Sequence, residues 1–451
     1  MTEYDSSTDQ EVSLQSPTAR LDRIPVLTPT QRTSVVVLAS FYVFDVIDLS
    51  LMGYTSTSWR LNLGIGVDEL GMIVSATFMG MVVGGVVGGR MADRYGRQKI
   101  IVAGCSLMSL GSLGTAVSST FEVIALTRFV TGVGVQAMAA TILVLASEIL
   151  PVALRGRCST LIVGVGFIAA PSIALLCALV VPISTDSWRF MYVIGALGLV
   201  VAAVASRLLP ESPRWLVSEG RHSEAEQLVC RLEDEVRDMG VDLPRATPTP
   251  KIAPLPLRDL FRGRSVQLLV LAIVGAAGVI LIQYGFSTWI PVMLVDRGFS
   301  QSGALYYATA LSFTGALGAV TSYYYVDRFR RKYLIGFVGC LVAATGLGFG
   351  FITLPWLFFI IGLIAVAATN ILMTIMYSYI PEFFPTALRG SGVGFTHGAA
   401  RFVGAVGTFA VPIMYNNLGF AGVYSYVAAL AVLLAVVFTL FGVDTTRKAL
   451  R

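Results

Sequence analysis

Charge, histidine and paired cysteine are the scarce components of this sequence. Only 13% of its 451 residues are Asp, Glu, Lys or Arg, against 55% hydrophobic. A soluble chain of that composition would carry more apolar surface than a core of its size can hide. Two histidines, His222 and His397, leave no material for a multi-histidine metal site. The five cysteines, Cys105, Cys158, Cys177, Cys230 and Cys340, fall at no paired spacing, so neither a disulfide framework nor a zinc site is expected. No phosphate-cradling loop, nucleophile elbow or metal cluster is visible. The chain is therefore expected to be no enzyme, to need no cofactor and to use no ATP. A net charge of +5 is spread over short loops, which fits membrane topology rather than nucleic acid.

What the sequence has in quantity is apolar runs of about 20 residues, each long enough to cross a bilayer as a helix. Twelve can be counted, at 33–55, 69–89, 99–117, 121–146, 159–181, 188–209, 266–295, 304–325, 333–351, 355–380, 392–415 and 419–443. A basic turn, Gly88-Gly89-Arg90-Met91-Ala92-Asp93-Arg94-Tyr95-Gly96-Arg97-Gln98-Lys99, is wedged between the second and third runs. A shortened copy, Val326-Asp327-Arg328-Phe329-Arg330-Arg331-Lys332, stands between the eighth and ninth, with Arg330 where the first has Gly96. One signal repeated about half a chain apart points to a tandem of related halves. The expected fold class is all-α integral membrane, with twelve transmembrane helices in two six-helix halves. The expected layout is a tail at 1–32, one half at 33–209, a linker at 210–265, the second half at 266–443 and a short tail at 444–451.

The basic loops set the expected orientation. Lys and Arg are retained on the cytoplasmic side during insertion. The Arg94 hairpin, the Arg155-Gly156-Arg157 loop, the Arg328 to Lys332 loop and Arg389 all fall on one side once twelve spans alternate. Both termini are then cytoplasmic, in an inner (plasma) membrane. The polar stretch 1–32 lacks an apolar core with a cleavage site and reads as a flexible tail rather than a signal peptide. Within the linker, 213–239 is charged and helix-compatible, while the prolines between 248 and 256 break structure. A tether joining two halves is the favoured reading for it.

At this point the residues resemble a known family. Gly89-x3-Asp93-Arg94-x-Gly96-Arg97-x-Lys99 resembles the loop 2/3 signature of the major facilitator superfamily, and Pro210-Glu211-Ser212-Pro213-Arg214-Trp215-Leu216 resembles a signature of its sugar-transporter-like branch. Glu148-x2-Pro151-x3-Arg155-Gly156-Arg157 and Glu382-x2-Pro385-x3-Arg389-Gly390 resemble that branch's paired motifs. Phe44-Asp45-Val46-Ile47-Asp48, preceded by Arg20-Leu21-Asp22-Arg23-Ile24-Pro25, is similar to metabolite/proton symporters of the aromatic-acid and niacin type, as are Arg128-Phe129-x2-Gly132-x-Gly134 and Arg401. Where sugar porters carry a Gln-rich Gly-Ile-Asn stretch, this chain reads Leu281-Ile282-Gln283-Tyr284-Gly285, which points away from sugar. The resemblance implies a transporter working by alternating access.

A charge at the bilayer centre costs roughly 2.5–3.5 kcal/mol on insertion scales, so such residues are expected to face a bundle interior or a watery cavity. Asp45 and Asp48 stand on one face near the middle of the first run. Two poorly hydrated carboxylates cannot both ionise cheaply, which makes at least one a candidate proton carrier, with a structural pair to Arg128 as the alternative. Arg401 is the candidate substrate anchor, because a guanidinium fork matches a carboxylate. Its alternative is a permanent partner for an aspartate across the halves. His397 lies one turn earlier on the same face and is favoured as a packing residue over a ligand. Gln283, Tyr284, Trp289 and Asn370 are further candidates for lining a site, the aromatic ones by stacking.

The loop motifs are read as mechanical. Gly89, Asp93, Arg94, Gly96, Arg97, Glu148 and Arg155 in the first half, with Asp327, Arg328, Glu382 and Arg389 in the second, would clasp the cytoplasmic side. Gly80, Gly84 and Gly88 suit close packing of the second helix, and Gly390, Gly394 and Gly398 offer a matching stripe on the eleventh. The positive N-terminal end of that helix would attract Asp93. Arg94 and Arg97 would pair with acids such as Glu148, and Glu382 with Arg389. The combined expectation is a monomeric secondary transporter in a bilayer. It would symport a small organic anion, an aromatic or heterocyclic carboxylate, with protons, and use no nucleic acid. The rivals are a sugar or organic-cation carrier, a proton-antiport exporter, and a non-transporting membrane sensor.

Overall fold

The computed structural model describes residues 16–244, 257–322, 328–352, 354–385 and 388–443, and among these the secondary structure is helical. A short α1 (Pro17–Asp22) leads into α2 (Pro29–Leu63), α3 (Val67–Tyr95), α4 (Arg97–Val117), α5 (Phe121–Ile149), α6 (Arg155–Val180), α7 (Ser187–Ala196) and α8 (Gly198–Leu208). The linker supplies α9 (Pro213–Ser218) and α10 (His222–Asp238). The second half holds α11 (Gly263–Ser287), α12 (Ile290–Asp296), α13 (Gln301–Ser322), α14 (Arg331–Phe351), α15 (Pro355–Tyr379), α16 (Arg389–Gly407) and α17 (Ala410–Phe441).

Several of these join into longer rods. α7 and α8 run on as one span of 22 residues, and α11 and α12 as one of 34. Gly419, at φ 65, breaks α17, so that its first part prolongs α16 and the rest is the last rod. Among the described residues twelve rods result, six on each side of the linker, and ten of the spans are long and apolar enough to cross a membrane. α13 and α16 fall outside that ten. Tyr306, Tyr307, Ser312 and Thr314 interrupt the first, and glycines, His397 and Arg401 the second.

Local chemistry sets the ends. Thr28 and Gln31 form a capping box at the start of α2, with Pro29 at its first position, and Gly64 in the left-handed region closes it. Gly96 turns the chain between α3 and α4 at φ 108, and a side chain there would strike the Glu211 carboxylate. α2 and α3 extend past their apolar runs at both ends, because the capping residues lie outside the hydrophobic stretch.

Each half packs largely on itself. Cβ atoms at Gly80 and Gly84 would land 2.1 Å from the Phe129 carbonyl oxygen and 2.2 Å from that of Val133, and one at Gly88 would meet Ala137. The glycine stripe of α3 therefore seats α5 of its own half, rather than the matching stripe on α16. Gly394 and Gly398 of α16 have no atom within 4 Å of where a Cβ would sit. The two halves do touch along α3 and α16, but at the other end: Gly404 lies beside the Phe78 ring and Gly71 against Pro412.

The segment read as a flexible tail is packed from Ser16 onward. Leu21 and Ile24 fill a groove of Val229, Leu232 and Val236 on α10. The two arginines of that segment bond to buried Glu233, Arg20 at 2.7 and 3.1 Å and Arg23 at 2.7 and 3.1 Å. Burying two apolar residues beside four charge-assisted bonds outweighs the chain entropy that would keep a polar tail loose.

A cavity between the halves

Six of the rods, from both halves, line a cavity of about 340 Å³. Its wall includes Tyr42, Asp45 and Tyr54 from α2, Gly166 from α6, Gln283 and Tyr284 from α11, Ser312 from α13, Asn370 and Tyr377 from α15, and Arg401 from α16. Helical spacing explains the grouping. Asn370, Thr374 and Tyr377 share one face of α15, as do Tyr42 and Asp45 on α2.

The two aspartates part company. Asp48 is fully buried and takes Arg128 Nη1 at 2.9 Å, Nη2 at 3.3 Å and the Ser112 hydroxyl at 2.8 Å. Arg128 also donates from Nε to Thr115 at 3.1 Å and from Nη2 to Thr131 at 2.9 Å, and lies 4.9 Å from the centre of the Tyr192 ring. Asp45 is buried at the cavity wall, and its Oδ1 has no hydrogen-bond partner. Arg401 makes no ion pair with any described carboxylate; it contacts Met81 Sδ at 3.4 Å and lies over the Phe78 ring. Asp45, Tyr284 and Tyr377 are its charged and polar surroundings.

The remaining candidates are placed unequally. Gln283 lines the cavity with a buried, unpartnered Oε1, and Tyr284 stands edge-on to Phe78 with ring centres 4.7 Å apart. Asn370 lines it while donating to the Val366 carbonyl at 3.0 Å. His397 stays out of the wall, behind Tyr377, with ring centres 5.1 Å apart. Trp289 is buried at the joint between α11 and α12, also off the wall.

Polar bonds between the halves gather at the face opposite the basic hairpins. Arg60 of α2 grips Asp296 of α12 at 2.6 and 2.7 Å, and Tyr415 donates to the same carboxylate. Asn416 reaches Asp68 at 2.8 Å and Gln301 reaches Ser58 at 2.8 Å. Gln301 also reaches Thr57 at 3.5 Å, and at the cavity Arg401 contacts Met81 across the halves.

Comparison with known proteins then decides the family. The model of the family described as "Sugar (and other) transporter" matches residues 38–450. The chain belongs to that family. It is 27% identical to the niacin transporter NiaP of Acinetobacter baylyi, covering 96% of this chain and 98% of the relative. It is 30% identical to the 4-hydroxybenzoate transporter PcaK of Pseudomonas aeruginosa, covering 83% and 84%. The fold is similar to the D-xylose-proton symporter crystal structure, at TM-score 0.74 and 18% identity over 93% of this chain and 99% of that one. The protein is thus a multi-pass membrane transporter with the twelve-helix major facilitator fold, not an enzyme.

The transporter's loop signatures sit at the hairpin face. Arg97 bonds Glu148 at 3.0 Å and the exposed Asp93 at 3.0 Å, while its backbone N–H donates to Glu211 at 2.8 Å. Arg94 lies over the Tyr95 ring, Gly89 faces open space and Arg328 is exposed. Arg155 lies 3.6 Å from Asp22. Asp93, largely exposed, is bonded to Arg97 of its own hairpin rather than held by the other half. Glu382 bonds Arg331; the Arg389 side chain and Asp327 lie outside the described residues.

Sequence reasoning passed over several residues that matter here. Tyr42 is three residues before Asp45, and Tyr377 is seven after Asn370, so a same-face search from the flagged polar residues would have found both. Tyr54 carries no comparable signal.

Proposed function

We propose that this transporter carries a small organic anion, an aromatic or heterocyclic carboxylate, together with a proton. The observation that carries the reading is Arg401, a guanidinium on the cavity wall that pairs with no carboxylate among the described residues. A guanidinium out of bulk water favours a bidentate anion over remaining unpaired. The rings of Tyr42, Tyr284 and Tyr377 give a planar substrate faces to stack on. A volume of about 340 Å³ is at the small end of ligand pockets, which suits a single ring. Two relatives are named for niacin and for 4-hydroxybenzoate, both of this class.

The acidic pair of α2 supplies the proton site, with Arg128 holding Asp48. On this reading the protein is a plasma-membrane monomer, and the basic hairpins support a cytoplasmic side for that face, both termini and the linker. Alternating access then rocks the halves about the cavity. The test is uptake of labelled niacin and 4-hydroxybenzoate into proteoliposomes under an inward proton gradient. Wild type is expected to accumulate at least one of them, and R401A, folded by its unchanged melting profile, neither. Undiminished uptake by R401A would remove the anion reading. A second reading, an organic cation drawn by the unpartnered Asp45, predicts instead that amines compete and carboxylates do not.

A further inference from the structure

The cavity carries polar groups at two levels. Arg401 marks one, with Tyr284 and Tyr377 around its guanidinium. Asn370 marks the other. It precedes Tyr377 by seven residues on one face of α15, which sets the two side chains about 10 Å apart along the helix axis. One aromatic ring with a polar group at each end fits that spacing. The Asn370 amide has a fixed direction. Its Nδ2 stands 3.0 Å from the Val366 carbonyl oxygen, an acceptor that only the N–H end can meet. Oδ1 is therefore the free end, and no donor among the described residues reaches it. Gly315 of α13 makes the room, since a Cβ there would stand 2.8 Å from Nδ2 and 3.0 Å from Val366. The neighbouring hydroxyls on the wall spend their hydrogens on backbone. Thr374 donates to the Asn370 carbonyl at 2.9 Å and Ser312 to that of Thr309 at 2.8 Å. Gln283 adds a second amide to the wall, its Oε1 buried without a partner. This part of the cavity thus offers acceptors and lacks a donor for them, which is costly away from bulk water.

We propose that the transporter selects carboxylates whose ring bears a hydrogen-bond donor, a hydroxyl or an amino group, at the end opposite the carboxylate, and that Asn370 Oδ1 is the acceptor that reads it. This rests on the carboxylate reading of the cavity and narrows it. A ring hydroxyl donates to Oδ1 while Arg401 holds the carboxylate, so both ends of one ligand are satisfied together. A bare ring edge leaves Oδ1 unpaired, and an unprotonated ring nitrogen sets one acceptor against another. Gly315 is a positioning residue, which acts by leaving the amide its place beside Val366.

Calorimetric titration of the purified full-length protein at neutral pH, with 4-hydroxybenzoate, 4-aminobenzoate, benzoate and niacin as probes, decides it. Wild type is expected to bind the first two about tenfold or more tighter than the last two, the margin of one hydrogen bond to a desolvated acceptor. N370L should bind 4-hydroxybenzoate no tighter than benzoate. G315A, which crowds the amide without removing it, should narrow the margin. A margin of wild-type size in folded N370L, or in G315A should N370L not fold, would overturn the assignment to Asn370. Benzoate separates this proposal from the reading beneath it, because it engages only the carboxylate end. Wild type that binds benzoate as tightly as 4-hydroxybenzoate keeps the carboxylate reading and overturns the selection by donor. Wild type that binds none of the probes overturns both.

Discussion

At the scale of single residues, this transporter sorts its intramembrane charges into two kinds. Asp48 and Arg128 neutralise one another inside the first half, next to Ser112, Thr115, Thr131 and Tyr192. Asp45 and Arg401 are left at the cavity with their bonding incomplete. The distinction yields a stability prediction. Removing one partner of a buried pair strands the other, at a cost of about 3–5 kcal/mol. R128A should therefore lower unfolding stability in detergent by that order, while R401A, which strands no bonded carboxylate, should change it little. Equal losses in the two variants would contradict the division. All four charged positions were legible in the sequence, because an ionised group inside an apolar run is too expensive to be incidental. Which aspartate Arg128 takes was not legible, since both share one face of α2. The tyrosines were hidden for the opposite reason: aromatics are common in spans, and only their place opposite Arg401 singles them out.

At the scale of elements, the linker and the N-terminal segment form one device. Leu21 and Ile24 dock on α10, Glu235 of α10 accepts from the Thr30 backbone N–H at 3.0 Å at the start of α2, and Asp22 joins Arg214 at 2.8 Å. The Trp215 indole donates to the Asp93 carbonyl at 2.7 Å, tying α9 to the α3–α4 hairpin. Burial pushes the Glu233 carboxyl up, but hydrogen bonds and charge from Arg20 and Arg23 hold it below the usual carboxylate range. A lowered carboxylate adds docking stability that is fully present above the ordinary value, near pH 4.3, and is lost as pH falls through the lowered one. A spin label at Thr18 should thus be immobile at neutral pH and loosen only in acid below that ordinary value, whereas E233Q should loosen it already at neutral pH. An immobile label in E233Q would show that the apolar groove alone holds the segment. The Arg20 to Pro25 motif was visible as a resemblance, but its partner lies more than 200 residues away on a helix whose polar composition resembled a tether.

At the scale of the whole molecule, the polar bonds between the halves of the described chain gather at the face away from the hairpins. Span count, repeat and loop charge made the two-half architecture readable from sequence, because the bilayer leaves few alternatives for apolar runs. The conformation was not readable, since hairpin residues such as Asp93 and Arg97 can serve either a closed or an open face. Arg60–Asp296, with Tyr415 and Asn416–Asp68, closes the face away from the hairpins. A partly exposed pair contributes about 0.2–1 kcal/mol. R60A should therefore shift the balance toward opening of that face by at most about fivefold. Distances between spin labels at Leu61 and Phe299 should show a longer component growing in R60A, and an unchanged distribution would mean that apolar contacts alone close that side.

The central claim, that Arg401 holds a carboxylate in this cavity, is tested most directly by calorimetric titration of the purified transporter with niacin and 4-hydroxybenzoate. Binding of at least one by wild type, reduced a hundredfold or more in R401A, is the predicted result. It corresponds to about 2.8 kcal/mol of lost charge-assisted bonding. Equal affinity in R401A and wild type would contradict the account.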